Sequence, residues 1–379
     1  MLSFLTAVRK ISVDVFFVAI VFSKYSVHSI PIKSNFYRWK HNWDIHYVSA
    51  GATGPPVLLV PGFGVGTFHF ERNIETLAMQ GFRVYSFDLL GQGLSWPQEG
   101  KFKEEDRLCY SCETWIEQTI YFIENIIGES THIAGNSLGG YISVATSSQK
   151  PALIRSAILL NPTPFWGFNQ KGECFLWDGV LPAPDPLLRF GSLYFDTLRN
   201  RNTIKTMLEG VYASNKGFGE DLIKSIIDSA SKPGGQEAFT SILFAPKLDA
   251  DFDDMVKSIK APICLVMGKE DPWIVPYWGQ RLKRIQPNTA YFELSPTGHC
   301  PHHESPKAVN SILSSWVSHV EGGIVCKSIV EASATISLDG VQECYEESEE
   351  RCVSVSLVDG SPRNIFEKFG AFCDKLREG

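Results

Sequence analysis

A chain of 379 residues is long enough to bury a sizeable core, as one large domain or two ordinary ones. With 44% hydrophobic and 20% charged residues its composition is that of neither a disordered nor a fibrous protein, and a net charge of −7 gives no electrostatic reason to hold nucleic acid. The 9 cysteines lack zinc-ligand or disulfide-scaffold spacing, so no metal and no cofactor is expected.

The first 35 residues differ from the rest. Arg9 and Lys10 precede an apolar run over 11–22 that Asp14 breaks and that is shorter than the roughly 20 residues a membrane-spanning helix needs. The run reads as the core of a secretory signal, as part of a basic, acid-poor organelle-targeting segment, or as a plain extension. From Phe36 the pattern changes to short β-rich runs at 44–48, 57–60, 83–87, 131–134, 157–160, 263–267 and 291–294. Several are apolar at every position, as strands buried on both faces of a parallel sheet are. Helical patterns at 74–79, 115–127 and 138–147 lie between them, so the fold class expected is α/β, a mostly parallel, doubly wound sheet.

Residues 163–261 break this rhythm. They are too many for one crossover, carry Trp166, Phe168, Phe175 and Trp177, and include helix-like stretches at 204–213 and 222–230. A structureless loop of that length is improbable, so an inserted helical cap is expected between two core segments, 36–162 and 262–320. Residues 321–379 form an extension with an acidic linker around Glu343, Glu346, Glu347, Glu349 and Glu350, a strand at 353–357 and a helix at 365–376.

Chemistry concentrates at the ends of predicted strands. Gly135-Asn136-Ser137-Leu138-Gly139 sits where the 131–134 strand meets the 138–147 helix. A tight strand-turn-helix elbow there pushes the serine hydroxyl into the open, and the flanking glycines avoid collisions that a Cβ would cause. A serine hydroxyl needs a base, and in this arrangement the acid and then the histidine follow downstream. Gly268-Lys269-Glu270-Asp271 follows the 263–267 strand, and Asp271 is preferred to Glu270 as the acid. Gly298-His299 follows the 291–294 strand, and His299 is preferred to His302 and His303 as the base. Gly62, Gly64 and Gly66 follow the 57–60 strand without matching a phosphate-binding pattern, because position 69 is His where a dinucleotide fingerprint has Gly. The N–H groups of Phe63 and Leu138 are the expected donors to an oxyanion. Asp88 and the glycines after it read as a structural turn. Cys109 and Cys112 form a C-x-x-C ahead of a helix, where incidental thiols outweigh a redox pair.

These segments resemble the α/β-hydrolase superfamily, and within it the pheophytinases of plant plastids. The likeness is carried by Pro61 to His69, Asp88 to Ser95, Ile133 to Tyr141, Leu159 to Phe168, Glu270 to Trp273 and Gly298 to His302. It implies a serine esterase that removes phytol from a Mg-free chlorophyll derivative, with Ser137 as nucleophile, His299 as base and Asp271 as acid. It also implies a chloroplast location, with a secretory or membrane-associated one as the alternative that the apolar N-terminus leaves open. The partner implied is a small hydrophobic ester, a tetrapyrrole among the options, with peripheral membrane contact compatible. Trp166 and Phe168 are candidate pocket walls. An esterase for another lipophilic ester and a ligand receptor on the same scaffold are the competing readings.

Overall fold

The apolar runs become the inner strands of a sheet in the computed structural model, which describes residues 29–41, 43–97, 108–166, 177–214, 217–322, 341–345 and 349–359. In chain order the strands are β1 (Lys33–Trp39), β2 (Trp43–Ala50), β3 (Pro56–Val60), β4 (Arg83–Phe87), β5 (Thr131–Asn136), β6 (Ile154–Leu160), β7 (Ile263–Gly268), β8 (Ala290–Ser295), β9 (Val341–Tyr345) and β10 (Glu349–Leu357). They lie side by side in the order β1-β2-β4-β3-β5-β6-β7-β8-β10-β9. Pairing is parallel from β4 to β8 and antiparallel at both edges.

Period-two alternation sends the inner strands' side chains to two cores. Leu58, Val60, Ile133 and Leu265 pack with Trp115, Tyr141, Val256 and Leu282 on one side. Val57, Leu59, Ala134 and Val266 pack with Ile74, Leu77, Ile312 and Trp316 on the other. Helices Cys112–Phe122, Leu138–Gln149, Phe252–Ser258 and Pro276–Ile285 thus cover the first face, and Glu71–Met79 and Pro306–Glu321 the second. Both faces are dry, which is why these strands are apolar throughout instead of alternating.

Between β6 and β7 the described residues include helices at Asp185–Leu198, Arg201–Val211, Glu220–Ala230, Gly235–Phe244 and Phe252–Ser258. Ile204, Leu208 and Val211 recur on one face of their helix and meet Leu222 and Ile223 in a separate small core that Cys300 also joins.

The sheet is wider than the sequence suggests. It begins at Lys33, before Phe36, because β1 pairs with β2 and buries Tyr37 and Trp39. The acidic stretch expected as a linker supplies β9 and the start of β10, and β10 pairs antiparallel with β8. Charged residues are a common feature of edge strands, where they oppose the addition of a further strand. Val353 anchors it, fully buried in the second core. The apolar run over 11–22, Phe168, Phe175 and the 365–376 helix lie outside the described residues. Among the described residues no helix is long and apolar enough to cross a membrane.

Candidate active site

Ser137 stands between β5 and the helix Leu138–Gln149 with φ +53° and ψ −116°, in a region L-residues rarely occupy. The elbow is held from both sides. The Ser137 N–H donates to the Leu160 carbonyl at 3.1 Å, and the Ser137 carbonyl accepts from the N–H groups of Tyr141 and Thr163, each at 3.1 Å. Space dictates the glycines: a Cβ on Gly135 would strike the Gly139 carbonyl, and one on Gly139 would strike the Val60 carbonyl.

Asp271 follows β7 and is 2% exposed. Its Oδ2 accepts from His299 Nδ1 at 2.6 Å and from Asn161 Nδ2 at 2.7 Å, and its Oδ1 accepts from the N–H groups of Trp273 and Ile274 at 2.8 and 3.0 Å. Burial by itself would push this carboxyl up, but the His299 hydrogen bond and charge and the two backbone donors together hold it below the usual carboxylate range. Glu270 is exposed and instead braces the next loop, accepting from Ser295 Oγ and the Thr297 N–H.

His299 is buried, and its ring lies edge-on to Trp273 at 5.2 Å between centroids. Its backbone N–H donates to the Val211 carbonyl at 2.8 Å. Asn136, next to Ser137, donates from its side chain to the His299 carbonyl at 3.0 Å, so the elbow and the histidine loop are directly joined. His302 and His303 lie elsewhere, in a buried cluster with His69 and Tyr212.

The glycine loop after β3 reaches the same place. The Cβ position of Gly62 is 3.4 Å from the Ser137 Cβ, and Gly64 takes φ +78°. Phe63 therefore sits beside the elbow, while Leu138 opens a helix, where the first N–H groups have no intrahelical carbonyl to serve. Asp88 and Gln92 brace the loop by accepting from the N–H groups of Thr67 and Gly64. Phe63, Trp166 and Trp273 give the surroundings an apolar rim, with the Phe63 and Trp166 rings 5.2 Å apart.

Two residues escape a sequence reading. Asn161 is fully buried with φ +42°, donates to Asp271 and accepts from the Gly268 N–H at 2.8 Å. Asn136 ties β6 to the histidine loop through the carbonyls of Leu160 and His299. Their signal was only position, one at the end of a strand and one inside the pentad. Cys109 and Cys112 sit at the start of helix Cys112–Phe122, and burial pushes the Cys109 thiol up to about 11 and Cys112 well above the usual range, so both are poor thiolates.

Comparison with known proteins agrees with this architecture. A family model described as the alpha/beta hydrolase family matches residues 57–312. The chloroplastic pheophytinase of Arabidopsis thaliana is 34% identical over 346 residues, covering 82% of this chain and 70% of that protein. A 2-hydroxy-6-oxononadienedioate/2-hydroxy-6-oxononatrienedioate hydrolase of Paraburkholderia xenovorans is 25% identical over 73% of this chain and 91% of its own length. Among solved structures, a serine hydrolase of carbazole degradation superposes with a TM-score of 0.59 at 17% identity, over 76% of this chain and 99% of that one, a likeness of fold. The chain belongs to the alpha/beta hydrolase family, and within it resembles pheophytinase.

Proposed function

We propose that the protein is a serine carboxylic-ester hydrolase that acts through an acyl-enzyme on a bulky hydrophobic ester, and that it removes phytol from pheophytin in chlorophyll breakdown. The observation that carries the reading is Ser137 on its strained elbow, joined through Asn136 to the buried Asp271–His299 pair. An ionised Asp271 only accepts, so the proton between the two rests on His299 Nδ1 and leaves Nε2 as the base. Ser137 Oγ attacks the ester carbonyl, His299 takes its proton, and the N–H groups of Phe63 and Leu138 hold the oxyanion. The proton then passes to the departing alcohol, and a water activated by His299 releases the acid. Each oxyanion donor is worth on the order of 3 kcal/mol of barrier.

The choice of substrate rests on the similarity to Arabidopsis pheophytinase and on the aromatic rim of Phe63, Trp166 and Trp273. A long isoprenoid chain gains about 0.8 kcal/mol for each methylene such walls bury. The chloroplast is the compartment the same relative supports, and a lipophilic substrate fits peripheral contact with a membrane. The test is to offer the purified protein pheophytin, chlorophyll and short acyl esters, and to map fluorophosphonate adducts by mass. Phytol release from pheophytin and an adduct on Ser137 are expected. Rapid turnover of short esters with none of pheophytin would sink the substrate, and an unlabelled Ser137 would sink the mechanism.

A further inference from the structure

A second hydrogen-bonded Ser–His–Asp chain lies apart from the Ser137 elbow, at the β1-β2-β4 edge of the sheet. In the β1–β2 register Ser34 faces Val48 and Phe36 faces His46, so Ser34 and His46 are diagonal neighbours. Ser34 Oγ is 2.9 Å from His46 Nε2, and His46 Nδ1 is 2.8 Å from Asp88 Oδ2. Asp88 is 1% exposed and follows β4 at its carboxyl end, where α/β sheets place reactive groups. Its carboxylate also accepts from the N–H groups of Thr67 at 2.6 Å and Leu94 at 2.8 Å. An ionised carboxylate only accepts, so the proton shared with the imidazole sits on Nδ1. The neutral ring then turns its Nε2 lone pair to Ser34, whose hydroxyl donates. That is the tautomer a general base requires.

The imidazole is fixed as well as polarised. The His46 N–H donates to Ser95 Oγ at 3.0 Å, its carbonyl accepts from the Asp88 N–H at 3.0 Å, and its ring packs against Phe36 at 5.1 Å. Ser34 is exposed, so a reagent can reach it. Ser34, His46 and Asp88 all line one cavity of about 520 Å³, which Phe68 and Leu94 make partly apolar and to which Lys232 brings a cation beside the carboxylates of Glu71 and Asp228. Such a volume suits a small ligand.

We propose that Ser34 is a second nucleophile, acylated by small carboxylic esters that enter this cavity. Ser34 Oγ forms a bond to the ester carbonyl carbon while its proton moves to His46 Nε2. The tetrahedral intermediate collapses, the bond to the alkoxy oxygen breaks, and the proton held by His46 leaves with the alcohol, giving O-acyl-Ser34. Lys232, which lines the same cavity, is the cation assigned in this proposal to the charge that develops on the carbonyl oxygen. The reading is independent of the reaction proposed at Ser137.

The test uses the full chain carrying Ser137→Ala, treated with diisopropyl fluorophosphate or p-nitrophenyl acetate, with adducts mapped to peptides by mass. An adduct on Ser34 is expected, and adding His46→Asn should slow its formation by about 100-fold, the lower range for loss of a general base. In the chain that keeps Ser137, Ser34→Ala and His46→Asn should keep the parent's circular dichroism, and His46→Asn, although it loses a partner of the buried Asp88, should still unfold in one cooperative transition above the assay temperature, which separates lost reactivity from lost fold. Absence of a Ser34 adduct, or equal rates with and without His46 in folded protein, overturns the proposal.

Discussion

Asp271 gathers four hydrogen bonds on a carboxylate that is almost wholly out of water, and two of those donors are backbone N–H groups. Replacing it by Asn preserves the shape but puts an amide where His299 Nδ1–H needs an acceptor of negative charge. In the proposed mechanism Asp271→Asn should lower kcat by about 10⁴-fold with little change in KM. The same carboxylate is held below its ordinary pKa, so the sign of its pH effect follows. Its stabilisation of the native state is present in full above the unfolded value near 3.9 and is lost as pH falls through the lower native value. Unfolding free energies of wild type and Asp271→Asn should therefore differ by a constant amount from pH 7 to pH 5 and converge below pH 4. Asn161 acts one step back, since it touches Asp271 and not the serine. Asn161→Gly accommodates the positive φ while deleting the amide, and should cost 10- to 100-fold in kcat/KM, about 1–3 kcal/mol for a lost hydrogen bond to a buried charge. A Tm shift without a kcat effect would count against that role.

At the scale of elements, the histidine loop is fastened to the segment that follows helix Arg201–Val211. Glu304 is fully buried and accepts from the N–H groups of Ala213, Ser214 and Gly298 at 3.3, 3.1 and 2.7 Å, while the His299 N–H reaches Val211. Glu304→Ala strands the buried Gly298 N–H and takes the acceptor from the more accessible N–H groups of Ala213 and Ser214, which water can serve, and should destabilise the fold by on the order of 1–3 kcal/mol, with Glu304→Gln recovering part of the loss. Urea unfolding measures the cost, and amide exchange at Ala213 and Ser214 should accelerate more than in β5. None of this fastening is visible in a linear reading, because Glu304 lies far in sequence from Ala213. The inner strands β3, β5, β6 and β7 were legible, since burial on both faces forces unbroken apolar runs. The edges were not. β1 mixes Lys33 and Arg38 with Tyr37 and Trp39, and β9 and β10 are acid-rich, so only pairing to a neighbour makes them strands. In the site, Ser137, Asp271 and His299 stood out because each follows a strand at a turn. Asn161 stood only inside the segment Leu159 to Phe168, with no role of its own, and its left-handed backbone and its bond to Asp271 come from the fold.

Across the whole molecule, three segments distant in sequence meet around neutral histidines. His69 Nε2 lies 3.1 Å from the Tyr212 hydroxyl, which lies 3.0 Å from His303 Nδ1, and His69 Nδ1 is 3.2 Å from His302 Nε2. Burial, with Arg72 and His299 adding repulsion, pushes His69 down to about 3. Burial and the neighbouring histidines push His302 and His303 well below their usual value. Burial also lowers His132, less sharply because Glu321 pulls it back. The unfolded chain takes up protons on these rings below about pH 6.5 while the native state refuses them, so stability is full above that pH and declines as pH falls. Each ring contributes a slope of about 1.4 kcal/mol per pH unit in this window. The three rings of the cluster act in the same direction, so the loss adds up against the modest stability of an ordinary domain, about 5–15 kcal/mol. The protein should therefore lose resistance to urea as pH falls from 6.5 to 5, where carboxylates are still largely ionised, with a net uptake of protons on unfolding at pH 5. A flat stability profile across that interval would mean that the native cluster accepts protons, and that the contact between cap segment, glycine loop and histidine loop is not the acid-sensitive part of the fold.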